Sequence, residues 1–357
     1  MSLPKVSVIL DNYNYLPFLE EAVNSVLMQT YQNFELILVD DGSQDGSAQR
    51  IAAYGQEYEN IRAILKENGG QMSAFNAGMA AASGDIVAFL DSDDYWYPQK
   101  LEKIVAKHRE GYQVVQHYLS NNGNGIYRET RADVDWHQVL MKYGYLYCHS
   151  VCSSLSFDRK LIAPFFPMSD PQEMVYCADG IVLMMALSQA PVGRVDEVLG
   201  FYRQHGGNGF VNKNDSGAAG RAIFEKQKYY VNKQLRRCKY PEVPFDQHRY
   251  FRYLIGQELE SGRLHNKDQV FLYGTESSGL FLTQVLEELR ITVCGYVDSA
   301  QWKWGQDFCG KKIIGPQDLE HVQYDKVIIS CSAQGPVSRI LKELGLRCGT
   351  DYLMLAI

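Results

Sequence analysis

Asp85-Ile86-Val87-Ala88-Phe89-Leu90-Asp91-Ser92-Asp93-Asp94 is the stretch that decides how this chain folds. Five consecutive apolar residues, too few for a helix and without polar alternation, read as a strand buried on both faces. Three carboxylates then fall within four positions. Alternate residues at a strand end project alike, so Asp91 and Asp93 can converge on one ligand. Two similar runs lie upstream, residues 5–10 (KVSVIL) and 34–39 (FELILV). Each ends in a polar cluster, Asn12–Asn14 after the first and Asp40-Asp41-Gly42-Ser43 after the second. Between them, residues 17–30 set Phe18, Val23, Val26 and Leu27 against Glu20 and Glu21 at helical spacing, with Pro17 suited to the first turn. A helix over 46–55, a strand over 61–65 and an Ala-rich helix over 71–83 follow. This alternation predicts an α/β fold with a doubly wound, mostly parallel sheet. Such sheets gather ligands beyond the carboxyl ends of their strands, where the polar clusters stand.

Residues 111–210 carry a Gly/Asn turn (NNGNG, 121–125), strands near 126–128 and 151–157, and a helix near 179–189. Residues 218–262 are rich in Lys, Arg, Gln and Tyr and read as connecting helices broken at Pro241 and Pro244. A second α/β pattern begins near Lys267: strands at 270–274, 291–298 and 326–330, helices at 279–290 and 335–344. The expected organisation is a nucleotide-binding domain over 1–215, a helical connector over 216–265 and a smaller α/β domain over 266–357.

With 357 residues, 46% of them hydrophobic, the chain can bury large cores without disulfide or metal staples. Its net charge of -7 argues against a nucleic-acid partner. No apolar run approaches a membrane span; the longest, Ile181–Leu187, is short and flanked by Asp179 and Ser188. The opening residues read as a first strand rather than a secretory signal. Eight cysteines with no CxxC pair suggest reduced thiols in a cytosolic protein. Cys148, His149 and Cys152 lack a fourth ligand, so zinc is not expected.

Hard oxygen ligands with open positions suit Mg²⁺ or Mn²⁺ bridging substrate phosphates. The bland reading of the same acids is a solvated loop that caps the next helix, and five carboxylates in proximity repel unless a cation or donors offset them. The order VSVIL-D-N-Y-N, LVDDGS, ENGGQ…NAG and DIVAFLDSDDYWYP resembles the family 2 glycosyltransferases, closely over residues 5–105 and more loosely to about 210. The resemblance implies the GT-A nucleotide-sugar-binding fold. It implies that Asp41 contacts the base of a nucleotide-sugar donor with Asp40 supporting the strand end. It also implies that Asp91 lies near the ribose and Asp93 ligates the divalent metal, which neutralises the diphosphate leaving group. Gln71, in the ENGGQ segment, and Asn76 and Gly78, in the NAG segment, fall beside the donor. Trp96 is either core or a substrate contact. Where the family usually has Pro-Thr before Tyr-Asn, this chain has Asp11 and Asn12 before Tyr13 and Asn14, which places Asp11 and Tyr13 on the donor side.

The family's general base matches Asp179, at the start of the helix near 179–189, although Ala178 replaces the usual preceding Glu. A helix N-terminus favours an ionised carboxylate there, which also fits a plain cap. Residues 195–208, including Arg203 and His205, match a downstream family segment whose Arg and His pair with donor phosphates or the metal. The implied activity is a metal-dependent, inverting, hexosyltransferase-type reaction that moves a sugar from a nucleotide-diphosphate donor to an acceptor hydroxyl in surface glycan biosynthesis. The acceptor is a glycan or lipid-linked glycan, and the expected location is cytoplasmic or peripheral at the inner face of the membrane. A nucleotidyltransferase would need a Gly-rich basic loop after its first strand, which residues 11–15 do not offer. A non-catalytic nucleotide-sugar-binding protein would not need Asp91, Asp93 and Asp179 together.

Residues 270–279 (VFLYGTESSG) resemble a dinucleotide-binding turn, and the domain resembles the Rossmann-like domains attached to sugar-modifying enzymes. Glu276 replaces the glycine that admits a pyrophosphate, so no NAD is expected, although Asp298 stands where a ribose-binding acid would. The domain binds another nucleotide, a sugar or a partner protein, or serves as a structural or homo-oligomerising module. Trp302, Trp304 and Phe308 are core or a contact surface.

Overall fold

The computed structural model describes residues 3–122, 126–127, 134–144, 151–169, 178–205, 218–275, 277–331 and 334–355. Cys148, His149, Cys177, Glu276 and most of the 121–125 turn lie outside them. The chain divides into two compact units, one of Met1–Met141, Cys148–Asn214 and Ile223–Val243, the other of Lys142–Tyr147, Asp215–Ala222 and Pro244–Ile357. The stretch expected as a separate connector is therefore shared out. Helix Ala218–Arg237 runs mostly in the first unit and helix Gln247–Glu260 in the second.

In the first unit the strands are β1 (Val6–Asn12), β2 (Phe34–Asp40), β3 (Ile61–Leu65), β4 (Ile86–Asp91), β5 (Tyr95–Trp96), β6 (Val114–Asn121), β7 (Ile126–Tyr127), β8 (Leu155–Asp158) and β9 (Val192–Tyr202). Their order is β3-β2-β1-β4-β8-β6-β9-β5, with β7 paired to β6. The first four are parallel. Beyond β4 the sheet becomes mixed, since β8 is antiparallel to both β4 and β6, and β9 runs parallel to β6 and antiparallel to β5. The unbroken apolar runs follow from burial on both faces: every residue of β4 from Ile86 to Leu90 is buried. On one face helix Leu16–Leu27 lays down Leu19, Ala22, Val23 and Val26, each fully buried, with Pro17 in its first turn. On the other, helix Gln71–Ala81 approaches β1 so closely that a Cβ on Gly78 would meet Ile9 Cγ2 at 2.5 Å.

The parallel register sets the site. Asp11 of β1 pairs with Asp91 of β4, and Asn12 pairs with Asp40 of β2, so three acidic strand ends stand side by side. The strand expected over 151–157 begins instead as a 3-10 turn, Cys152–Ser154, and is extended only from Leu155. The turn closes because the Ser154 amide donates to the Val151 carbonyl. Strands β6 and β9 had no clear signature in the sequence. Gln116 and His117 interrupt the apolar pattern of β6 yet are both buried, because β6 is interior to the sheet with β8 and β9 on either side.

The second unit carries β10 (Gln269–Tyr273), β11 (Thr292–Val297), β12 (Asp307–Phe308), β13 (Lys311–Ile314), β14 (Lys326–Ile329) and β15 (Tyr352–Met354), in the order β12-β13-β11-β10-β14-β15. All but the β12 pairing are parallel. Its core holds Phe271, Tyr273, Val297, Val327, Ile329, Leu341 and Tyr352. The carboxylate of Asp298 is already engaged, by Lys303 Nζ at 2.7 Å, the Thr275 hydroxyl at 2.7 Å and the Ala300 amide at 2.9 Å. The aromatic stretch divides: Trp302 is 71% exposed, Trp304 donates its indole N–H to the Asp298 carbonyl, and Phe308 packs edge-on against Tyr296.

Candidate active site

The carboxyl ends of β1 and β2 are stitched to one another before any ligand is considered. Asn12 Nδ2 donates to Asp40 Oδ1 at 3.0 Å and to Ser43 Oγ at 3.1 Å, and the Ser43 amide donates to Asp40 Oδ2 at 2.9 Å. Asp40 is thus a buried support of the strand end. Asn14 sits at φ 59°, a left-handed conformation Asn tolerates, and its side chain accepts the Gln44 amide. Tyr13 stands 47% exposed above this weave.

Asp41 does not stand open. Its carboxylate accepts from Lys66 Nζ at 2.5 Å and from the amides of Gly69 and Gly70, at 3.0 and 2.7 Å, and Asn68 Nδ2 binds its carbonyl. The Lys66–Gly70 segment therefore closes over Asp41, and Gly42, at φ 80°, leaves room for Asn68, which a Cβ would meet at 2.7 Å. Asn76 is also committed: its amide donates to the Met168 carbonyl and accepts the Met168 amide, at 3.0 and 2.7 Å. It anchors the chain at Met168, and the adjacent Ser169 is held by Tyr230 and Gln234 of helix Ala218–Arg237.

Asp11, Asp91, Asp93 and Asp179 share one electrostatic neighbourhood. Burial pushes Asp11 up to about 8, reinforced by the charges of Asp93 and Asp179 and relieved in part by Gln71. Asp91 is pushed well above the carboxylate range by burial and then by Asp11, Asp94, Asp93 and Asp179. Gln71 Nε2 also donates to Asp91 Oδ1 at 3.1 Å. Asp179 stands in the first turn of helix Ala178–Leu187, whose residues Ile181 to Leu187 are all buried; the longest apolar run of the chain is a core helix. Asp93 is raised by burial, but His205 Nε2 lies 3.0 Å from its Oδ2 and works in the opposite direction. The His205 ring is seated against Phe18 and Tyr15, 4.8 and 5.5 Å between centroids.

Arg203 is engaged at the acidic turn. Its amide donates to Asp94 Oδ1 at 2.9 Å, its Nε to the Asp93 carbonyl at 2.9 Å, and its guanidinium pairs with Glu21. Trp96 is 2% exposed and donates to the Ser153 carbonyl at 2.7 Å, which settles it as core. Tyr15, Phe18, Glu21 and Ser153 are contributors that the sequence did not single out. Each packs or bonds through contacts between segments remote in the chain, and only the aromatic run beside Asn14 hinted at any of them.

The oxygen donors fit a hard divalent cation. Asp91, Asp93 and Asp94 offer oxygens that all lie within 4.8 Å of one another. Asp11 Oδ1 is buried with no hydrogen-bond partner among the described residues, so an oxygen lone pair is left unsatisfied beside Asp91. Cys152 also approaches Asp11 and Asp91, and burial with their charges pushes its thiol well up; a soft sulfur suits a hard cation less well than the neighbouring carboxylate oxygens. The chemistry of this set is that of oxygen ligands for a hard divalent cation.

The comparisons identify the class to which this partly parallel α/β sheet with acidic strand ends belongs. Residues 7–162 match the glycosyl transferase family 2 model, and residues 266–347 match the C2185-like, N-terminal model. An uncharacterized glycosyltransferase of Nostoc sp. is 35% identical over 66% of this chain and 77% of its own length. The undecaprenyl-phosphate 4-deoxy-4-formamido-L-arabinose transferase of Photorhabdus laumondii is 36% identical over 37% of this chain and 42% of that one. The crystal structure of S. aureus TarS residues 1-349 superposes with a TM-score of 0.52 at 19% identity, covering 72% of this chain and 73% of that one. The chain belongs to glycosyltransferase family 2, and it is a glycosyltransferase with a GT-A-type fold.

Proposed function

We propose that this glycosyltransferase is metal-dependent and inverting, and moves a sugar from a nucleoside-diphosphate donor to an acceptor hydroxyl of a surface glycan or its lipid-linked precursor. The observation that carries this reading is the shared electrostatic neighbourhood of Asp11, Asp91, Asp93 and Asp179, with His205 on Asp93. Asp93 and His205 would hold the cation, which when bound supplies charge neutralisation for the diphosphate. Asp91, Asp11, Gln71 and Tyr13 border the donor side, and Asp41 with Lys66 borders the base. Asp179 takes the proton of the acceptor hydroxyl as that oxygen attacks the anomeric carbon from the face opposite the diphosphate. Transfer then rests on positioning and electrostatics, with no covalent intermediate.

The surface-glycan assignment is supported by the polyprenyl-phosphate sugar transferase among the relatives. No helix among the described residues is long and apolar enough to cross a membrane. The second unit is proposed as a Rossmann-like module that takes no NAD, because Lys303 and Thr275 already occupy Asp298.

Thermal-shift titration with nucleoside diphosphates and Mn²⁺ tests the reading. One nucleotide should raise the melting temperature strongly and lose that effect in EDTA. Asp93→Ala should abolish the Mn²⁺-dependent part. Asp179→Asn should keep nucleotide binding while turnover falls by about 10²–10⁴. Unchanged transfer in both variants would sink the mechanism.

A further inference from the structure

We propose that Ser153 is a positioning residue of the acidic turn, setting the spacing of Asp91 and Asp93 from a segment some sixty residues downstream; the proposal rests on the cation reading above. The turn closes on itself through the Asp94 amide and the Asp91 carbonyl, 3.1 Å apart. That single bond leaves two groups to be fixed, the Asp91 amide and the Asp94 carboxylate. The Ser153 hydroxyl fixes both. It donates its one hydrogen to Asp94 Oδ2 at 2.6 Å and accepts the Asp91 amide at 3.2 Å. A hydroxyl is the smallest side-chain group able to donate and accept at once.

Asp94 is therefore held from two sides, by Ser153 on Oδ2 and by the Arg203 amide on Oδ1. Both Asp94 oxygens are thereby engaged, which fixes the acid that stands in one cluster with Asp91 and Asp93. Ser153 is itself immobilised. It has no exposed surface, it lies within the 3-10 turn Cys152–Ser154, and its carbonyl accepts the Trp96 indole N–H at 2.7 Å. Trp96 in turn carries Lys100 Nζ 3.2 Å above its ring. The bonds Ser153 makes lie in a fully buried place, where a lost donor is felt most.

The test is Mn²⁺ binding to the full chain, followed by the electron paramagnetic resonance of free Mn²⁺ with a nucleoside diphosphate present. Ser153→Ala should weaken Mn²⁺ binding by about tenfold, while Ser153→Thr, which keeps the hydroxyl, stays within about twofold of wild type. Ser153→Cys, near-isosteric with a weaker donor, should fall between them and supplies the comparison if the alanine variant does not fold. Ser154→Ala, which removes a hydroxyl that donates to the Val151 carbonyl of the same turn, should leave Mn²⁺ binding unchanged. Folded Ala and Cys variants that bind Mn²⁺ as wild type does would overturn the role, as would an equal loss in Ser154→Ala. Wild-type protein that takes up no Mn²⁺ would overturn the cation reading itself, and the role of Ser153 with it.

Discussion

Asp11 is an acid buried at the end of β1, and its environment makes a pH prediction. Burial lifts it from 3.8 to about 8, and Asp91 and Asp94 are pushed the same way. Between those values the folded chain keeps a proton that an unfolded carboxyl has already lost. Unfolding releases that proton, so stability falls as pH rises through the window from about 4 to about 8. Melting curves in EDTA should show this decline, and Asp11→Asn, neutral throughout, should make it shallower. A melting temperature that rises over the same window would contradict the assigned burial. Asp11 was visible in the sequence as an extra acid. That it stands directly beside Asp91 follows from the β1–β4 register and not from any spacing in the chain. Asp41 and Asn76 make the opposite case. Both lie in recognisable motifs, yet their polar atoms are engaged by Lys66, Gly69, Gly70 and Met168, partners that only folding selects.

Among the elements, the helix Gln71–Ala81 illustrates how packing explains a motif residue. Gly78 is needed because the helix lies against Ile9 of β1 with no space for a side chain. Gly78→Ala should destabilise the fold by about 1–3 kcal/mol in chemical denaturation, through overpacking a buried contact. The helix Lys100–Arg109 carries a conflict between local pattern and burial. Lys100 is fully buried on the Trp96 face and its Nζ has no hydrogen-bond partner among the described residues; burial pushes its pKa well down. A lysine in a charged helical stretch reads as solvent-facing, and nothing local reveals otherwise. Strand β6 was missed for a related reason. Its Gln116 and His117 look exposed by type, and their burial depends on β8 and β9 arriving on either side.

At the scale of the whole molecule, the proposed donor site lies within one of the two units, and this can be tested without altering a residue. Hydrogen exchange with Mn²⁺ and the stabilising nucleoside diphosphate should slow at the ends of β1, β2 and β4 and in the Lys66–Gly70 segment, while β10, β14 and β15 exchange as before. Equal protection of the second unit would place nucleotide there as well. The sequence by itself determined the two α/β patterns, the strands that end in acids and the glycosyltransferase family, because short apolar runs, helical spacing and motif order are local properties of the chain. Tertiary structure decided which of those acids share a site and which are held away from it. Asp93 meets His205, Asp94 is tied to Ser153 and Arg203, and Asp41 is closed over by the glycines. The reason is physical: hydrogen bonding and burial act between atoms brought close in space, and segments separated by sixty to more than a hundred residues meet only when the sheet register has been set.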